Sequence, residues 1–182
     1  VLTISDYADN DACQSFDEIE KYNIYRFRRY PFSLITYFHR IFQIIKHISS
    51  NNYSHCILSG FFALSMCSII QIINKKIIVT GILHGSELLQ SNPFLKSILT
   101  ISLRGLDAMI SVSNYTNCLI PIEIDSNQKN IVIPNGVNKE LLTINSKKEY
   151  PIKLSGNPCL LTVGSITKRK GQINLIKALP II

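Results

Sequence analysis

Two short stretches of this chain carry residue types that can do chemistry, and each follows an apolar, strand-like run. The first is His84-Gly85-Ser86-Glu87, directly after Ile77–Leu83. The second runs from Leu160 to Gly171: Leu160–Val163 reads as a buried strand, Gly164 opens a loop, and Lys168, Arg169 and Lys170 precede a helix starting near Gln172. Cations gathered at the positive end of a helix make an anion site, and phosphate is the usual anion. A histidine at a strand end can donate to a hydroxyl or move a proton near neutral pH. Two polar loops at the carboxyl ends of strands predict a cleft.

Elements that hold such loops must alternate in type. Apolar runs predict strands over 1–5, 22–27, 54–59, 76–83, 107–112, 130–134 and 158–163. Helical spacing predicts helices over 32–50, 61–74, 91–105, 113–120 and 171–179. Runs as apolar as Ile77-Ile78-Val79 suggest strands buried on both faces. Strand–helix alternation gives βαβ units, so the expected class is α/β with a parallel sheet and flanking helices. The polar stretch Asn145–Glu149, followed by Pro151, Gly156 and Pro158, has linker composition. It divides the chain into 1–152 and 153–182. Val at position 1 and the helix-like end at Ile182 are read as the cut ends of a longer protein.

Composition narrows the partners. The chain is 46% apolar without low-complexity tracts, so a packed core is expected rather than disorder. The formal charge is +7 and unevenly placed: residues 1–20 hold six acids and no Lys or Arg, residues 21–50 six bases and no acid. A basic surface favours nucleotides, nucleic acid or anionic lipid. Nucleic acid is set aside, because RNP, zinc-finger and basic-zipper patterns are absent. Five scattered cysteines with no CxxC pair read as reduced core thiols, so no metal site is expected. The apolar run Ile57–Ile73 reads as a strand, a turn at Gly60 and a buried helix, and not as a membrane span. GxGxxG, GxxxxGK[ST], HExxH and GxSxG are all missing.

In the helix over 32–50, Phe32, Ile35, Phe38, Ile41, Phe42, Ile45 and Ile48 recur at three- and four-residue steps. One reading is a helix packed on the sheet. The other is a basic amphipathic helix docked on a membrane surface.

Four motifs in order carry a family resemblance: His84-Gly-Ser-Glu87, Ala108-Met-Ile-Ser111-Val-Ser113, Ile133-Pro134-Asn135-Gly136-Val137, and Leu161-Thr-Val-Gly164 through Lys170-Gly171. Over roughly residues 76–182 the chain resembles the GT-B glycosyltransferases of family 4, retaining enzymes that move a sugar from a nucleotide donor. The resemblance implies two Rossmann-like domains: an incomplete acceptor-side domain over 1–152, and from 153 to 182 the first strand–loop–helix of a donor-binding domain. It implies a nucleotide-diphosphate sugar donor, a glycan or lipid-linked acceptor, and a cytoplasmic enzyme at the inner face of the membrane. The nucleotide-sugar is a substrate, so no cofactor is expected, and the 182 residues alone are expected to be inactive.

By the same resemblance Lys170 contacts the donor diphosphate with help from Arg169 or Lys168, and Gly164 lets the backbone approach it. The alternative for Lys170 and Lys168 is a solvated basic turn, and for Gly164 a simple tight turn. Ser165 departs from the family, where Arg often follows this glycine; Arg169 is the candidate substitute. His84 matches the histidine beside the transferred sugar; otherwise it caps the strand end. Glu87 is the second catalytic candidate, against a purely local role in ordering its loop. Gly85, Ser113 and Asn135 are expected to line the cleft, although Ser113 also reads as a helix N-cap and Asn135-Gly136 as a turn. Two rival readings remain, a GT-B nucleotide-sugar epimerase and a non-enzymatic membrane-binding module built on the helix over 32–50.

Overall fold

The computed structural model describes residues 1–4, 10–28, 30–125, 128–137, 139 and 159–181, which fall into two units, Val1–Gly136 and Val137–Ile182. The expected boundary near residue 153 and its linker lie outside the described residues.

Unit one is α/β. Its main sheet holds β3 (His55–Ser59), β4 (Ile78–Leu83), β5 (Ala108–Ser111) and β6 (Lys129–Val132), all parallel and in that order. A separate parallel pair joins β1 (Leu2–Ile4) to β2 (Tyr25–Phe27), in register Leu2↔Tyr25 to Ile4↔Phe27. Helix α1 (Asn10–Ile19) links β1 to β2, and α2 (Ser33–Ser50) links β2 to β3. The later crossovers are α3 (Phe61–Ser65) with α4 (Cys67–Ile73), α5 (Pro93–Arg104), and α6 (Asn114–Cys118) with α7 (Ile122–Asp125).

Parallel neighbours need long crossovers, and these are right-handed. A sheet whose order runs steadily from β3 to β6 therefore sends its crossovers to one face. That face is the core: Leu58, Val79, Leu83 and Met109 lie under Leu64, Cys67, Ile70, Leu99, Leu103 and Leu106. Gly81 marks the closest approach, since a Cβ there would stand 2.6 Å from Leu106 Cδ1 and 2.9 Å from Leu64 Cδ2. On the opposite face Ile57, Ile78 and Ile131 are exposed. The expectation of burial on both faces is corrected accordingly: one-way strand order supplies cover to one side.

Local chemistry explains the boundaries. Pro93 opens α5 and Asn92 caps it, its Oδ1 accepting from Phe94 N at 3.0 Å and Leu95 N at 3.3 Å. The helix expected over 61–74 is divided at Met66; the Ser65 hydroxyl donates to Phe62 O at 2.7 Å, competing for helical carbonyls at the break. The strand expected over 158–163 is absent from its described part, 159–163: a strand needs a neighbour to pair with, and no strand is present among the described residues of unit two. Helix α1 lies where the sequence predicts no helix.

No disulfide joins the five cysteines. Cys13 and Cys67 are buried as expected, whereas Cys118 and Cys159 are exposed, so core thiols describe only part of the set. Burial first, then the nearby Asp107 carboxyl and Cys56, push the Cys67 thiol from its ordinary 9.0 up to about 12. The folded state thus keeps a proton that the unfolded chain releases above pH 9.0. Stability is expected to fall between pH 9.0 and about 12, with a slope of at most about 1.4 kcal/mol per pH unit from this group. Urea melts under reducing conditions check this: Cys67→Ala should lose that part of the slope.

Candidate functional site at the carboxyl edge of the sheet

The C-terminal ends of β3, β4 and β5 stand side by side, because Ser59 pairs with Ile82, and Leu83 with Ser111. The chemistry-bearing residues of unit one gather just beyond these ends. His84 follows β4 directly, exposed, with its Nε2 at 2.9 Å from the Ser59 hydroxyl at the end of β3. Either group can be the donor, according to the imidazole tautomer. The ring is thereby tied to the edge it sits on, and its other nitrogen faces away from that bond.

Glu87 is buried, at 5% exposure. Its Oε1 accepts the His84 backbone N–H at 2.6 Å, and its Oε2 accepts the Ser86 hydroxyl at 3.2 Å. The Gly85 carbonyl accepts from Leu88 N at 3.1 Å and Leu89 N at 3.3 Å, which closes the turn. The Glu87 carboxyl is thus engaged within the loop that carries His84. Glu87→Ala removes both acceptors and is expected to destabilise unit one by about 2 kcal/mol, while Glu87→Gln keeps an acceptor and loses less. Urea unfolding midpoints of the two variants check the order.

Gly85 has φ +95, left-handed backbone that favours glycine, and a Cβ there would stand 3.1 Å from Thr116 Oγ1. The same Thr116 joins this loop to the next one. Its hydroxyl lies 3.1 Å from Ser113 Oγ, which also accepts from Thr116 N at 3.1 Å and so caps α6. Ser113 is therefore an N-cap and a neighbour of the His84 loop at once. Asn135 lies beyond β6 on the same edge, exposed. Two residues here went unrecognised in the sequence, Ser59 and Thr116, and Ser111 was named there only as part of a motif. Ser111 is fully buried at the end of β5, and its hydroxyl has no hydrogen-bond partner among the described residues. Their signal is positional, since each ends or follows a strand of one parallel sheet, but it is readable only once the register is known.

In unit two, Lys168–Lys170 form one 3-10 turn, closed by Lys170 N donating to Thr167 O at 3.0 Å. Gly171 follows with φ +74 and starts α8 (Gln172–Ala178). The loop folds back on itself: Gln172 Nε2 donates to Ser165 O at 2.9 Å. A Cβ on Gly164 would lie 3.8 Å from Lys170 Cδ, so the glycine and the lysine stem are neighbours. Lys168 and Lys170 are exposed. The backbone of Arg169 lies within the turn. Helix α8 is seven residues long, too short for its dipole to dominate, so the cations carry the anion-attracting potential.

Among the described residues no group of three or more His, Cys, Asp or Glu is placed to hold a metal ion. No protein-family model matches the chain, and no curated protein matches it.

Proposed function

We propose that the chain is part of a retaining glycosyltransferase of the GT-B type, similar to family 4, that moves a hexose from a nucleotide-diphosphate sugar to a glycan or lipid-linked acceptor. The observation that carries the reading is the cluster of His84, Gly85, Glu87 and Ser113 at the carboxyl edge of a parallel sheet, the place where open α/β sheets bind ligands. The pairing of Gly164 with Lys170 in unit two adds a backbone that a phosphate can approach and a cation beside it.

In the proposed reaction the bond between the anomeric carbon and the diphosphate oxygen breaks, and its electron pair stays on the phosphate. The acceptor hydroxyl adds to the anomeric carbon on the same face, and its proton ends on the departing diphosphate. Lys170, with Arg169 or Lys168, offsets the charge that grows on the leaving group. His84 donates a hydrogen bond to the sugar or acceptor from the nitrogen not engaged by Ser59. Glu87 holds the His84 backbone in place. The enzyme would work in the cytoplasm, at the inner face of the membrane, where lipid-linked acceptors are presented.

The test is product analysis. The full-length protein is incubated with nucleotide-sugars, with and without lipid-linked acceptors, and the anomeric configuration is read by NMR. The expected result is a glycoside with the donor's configuration, formed only with acceptor. Release of a free epimerised nucleotide-sugar without acceptor would move the assignment to an epimerase.

A further inference from the structure

Asn135-Gly136 is the one Asn-Gly pair in the chain. It lies just past β6, where Ile133 N donates to Ser111 O at 2.9 Å. Pro134, Asn135, Gly136 and Val137 are all exposed and belong to no helix or strand. Neither the Asn135 side chain nor the Gly136 N–H has a hydrogen-bond partner among the described residues. A Cβ built on Gly136 would meet nothing within 4 Å. The pair is thus accessible, unbonded and free of packing, and the glycine gives its backbone the freedom to rearrange.

That combination has a chemical consequence. A backbone nitrogen can attack the side-chain amide of the residue before it when no Cβ shields the nitrogen and no hydrogen bond fixes either group. Here the Gly136 nitrogen bonds to Asn135 Cγ and closes a five-membered imide. The bond from Cγ to the side-chain nitrogen breaks, and that nitrogen leaves as ammonia, taking the proton of the Gly136 N–H. Water then opens the ring at either carbonyl. One opening gives aspartate with the normal backbone, the other isoaspartate with an extra methylene in the backbone. Water is the only co-reactant.

Asparagines held by the fold lack these conditions. Asn92 caps α5 through its Oδ1, and Pro93 behind it has no N–H to attack with. Asn117 Oδ1 accepts from Asn130, and Asn74 Oδ1 accepts from Lys76 N at 3.0 Å. Asn51 Nδ2 donates to His47 O at 2.8 Å. The residues behind these three, Cys118, Lys75 and Asn52, all carry a Cβ.

We propose that Asn135 is a self-modification site, which loses its amide as ammonia through attack by the Gly136 nitrogen and becomes aspartate and isoaspartate. The product puts a carboxylate at the carboxyl edge of the sheet and lowers the formal charge by one. In the isoaspartyl form the added methylene lies beside Gly136, the last residue of unit one. The proposal goes beyond the glycosyl-transfer reading and does not need it.

Peptide mapping by mass spectrometry tests it with no sugar donor present, so its outcome is separate from that of the enzymatic reading. The full-length protein is kept folded in warm, mildly alkaline buffer, and isoaspartate is counted by methylation with an isoaspartyl methyltransferase. The peptide holding Asn135 should gain the mass of a hydroxyl in place of an amino group, in aspartyl and isoaspartyl forms. Peptides holding Asn92 and Asn117 should stay unchanged. Gly136→Ala should slow the conversion by about tenfold or more, because a Cβ hinders the attacking nitrogen. That variant should keep its circular dichroism, since the new methyl group meets nothing and Gly136 is not among the glycines with positive φ. The isoaspartate content of the unsubstituted protein decides the route without any variant. An Asn135 that stays intact in the folded protein overturns the proposal. So does conversion of Gly136→Ala at the parent rate, or a product that is aspartate alone, since either means direct hydrolysis without the imide.

Discussion

Lys170→Ala in the full-length protein is expected to lower donor turnover by about two to three orders of magnitude, the usual loss when one fixed group facing developing charge is removed. Gly164 and the 3-10 turn of Lys168–Lys170 hold the lysine stem against a backbone with no side chain in the way. Lys170 is exposed, which leaves its ammonium group open to a diphosphate. In the proposed reaction, charge on the diphosphate grows as the anomeric bond breaks, so the loss should fall mainly on kcat and less on KM. Lys168→Ala, at the start of the same turn, should cost only a few-fold, as a screened surface cation does. Equal losses from both substitutions would mean that the loop acts through its net charge and that Lys170 has no special place in it.

Leu64→Ala is expected to destabilise unit one by about 3 kcal/mol. Leu64 is fully buried, and its Cδ2 presses on Gly81 in β4, three residues before His84. Removing it leaves a void beneath the strand that carries the site. Gly81→Ala should also destabilise, by about 1 to 3 kcal/mol, because the new methyl group meets Leu64 and Leu106. The two sites share one contact, so the double variant should cost less than the sum, with the residual clash at Leu106 remaining. Urea melts of the two single variants and the double variant read this directly. A strictly additive result would contradict the close approach of α3 to β4.

Much of this fold was legible because one physical signal dominates it. Short β-branched runs such as Ile77–Val79 and Ala108–Val112, separated by crossover-length segments, can pair in parallel and little else. Helical spacing over 91–105 located α5, and the Asn92 cap with Pro93 behind it explains why the helix opens there. Sheet-face burial was not legible, since it depends on the direction in which the strand order runs, and composition carries no trace of that. The same holds for α2: Ile41, Ile44 and Ile48 against Phe38 and Phe42 look like one apolar stripe until the core claims one side. In the candidate site, His84 and Ser113 stand out in the sequence by their places after strands. Ser59 does not, because its bond to His84 spans 25 residues and depends on β3 lying beside β4. The Glu87 carboxyl accepts the His84 N–H, a bond that the sequence does not announce.

The measurement closest to the central claim is cleavage of a panel of nucleotide-diphosphate sugars by the full-length protein, compared with the His84→Ala and Lys170→Ala variants. The account predicts that one donor is cleaved and that both variants lose most of that activity while keeping the folded-state circular dichroism. If no donor is bound or cleaved, the carboxyl-edge cluster is not a sugar-transfer site, and the assignment to a glycosyltransferase is wrong.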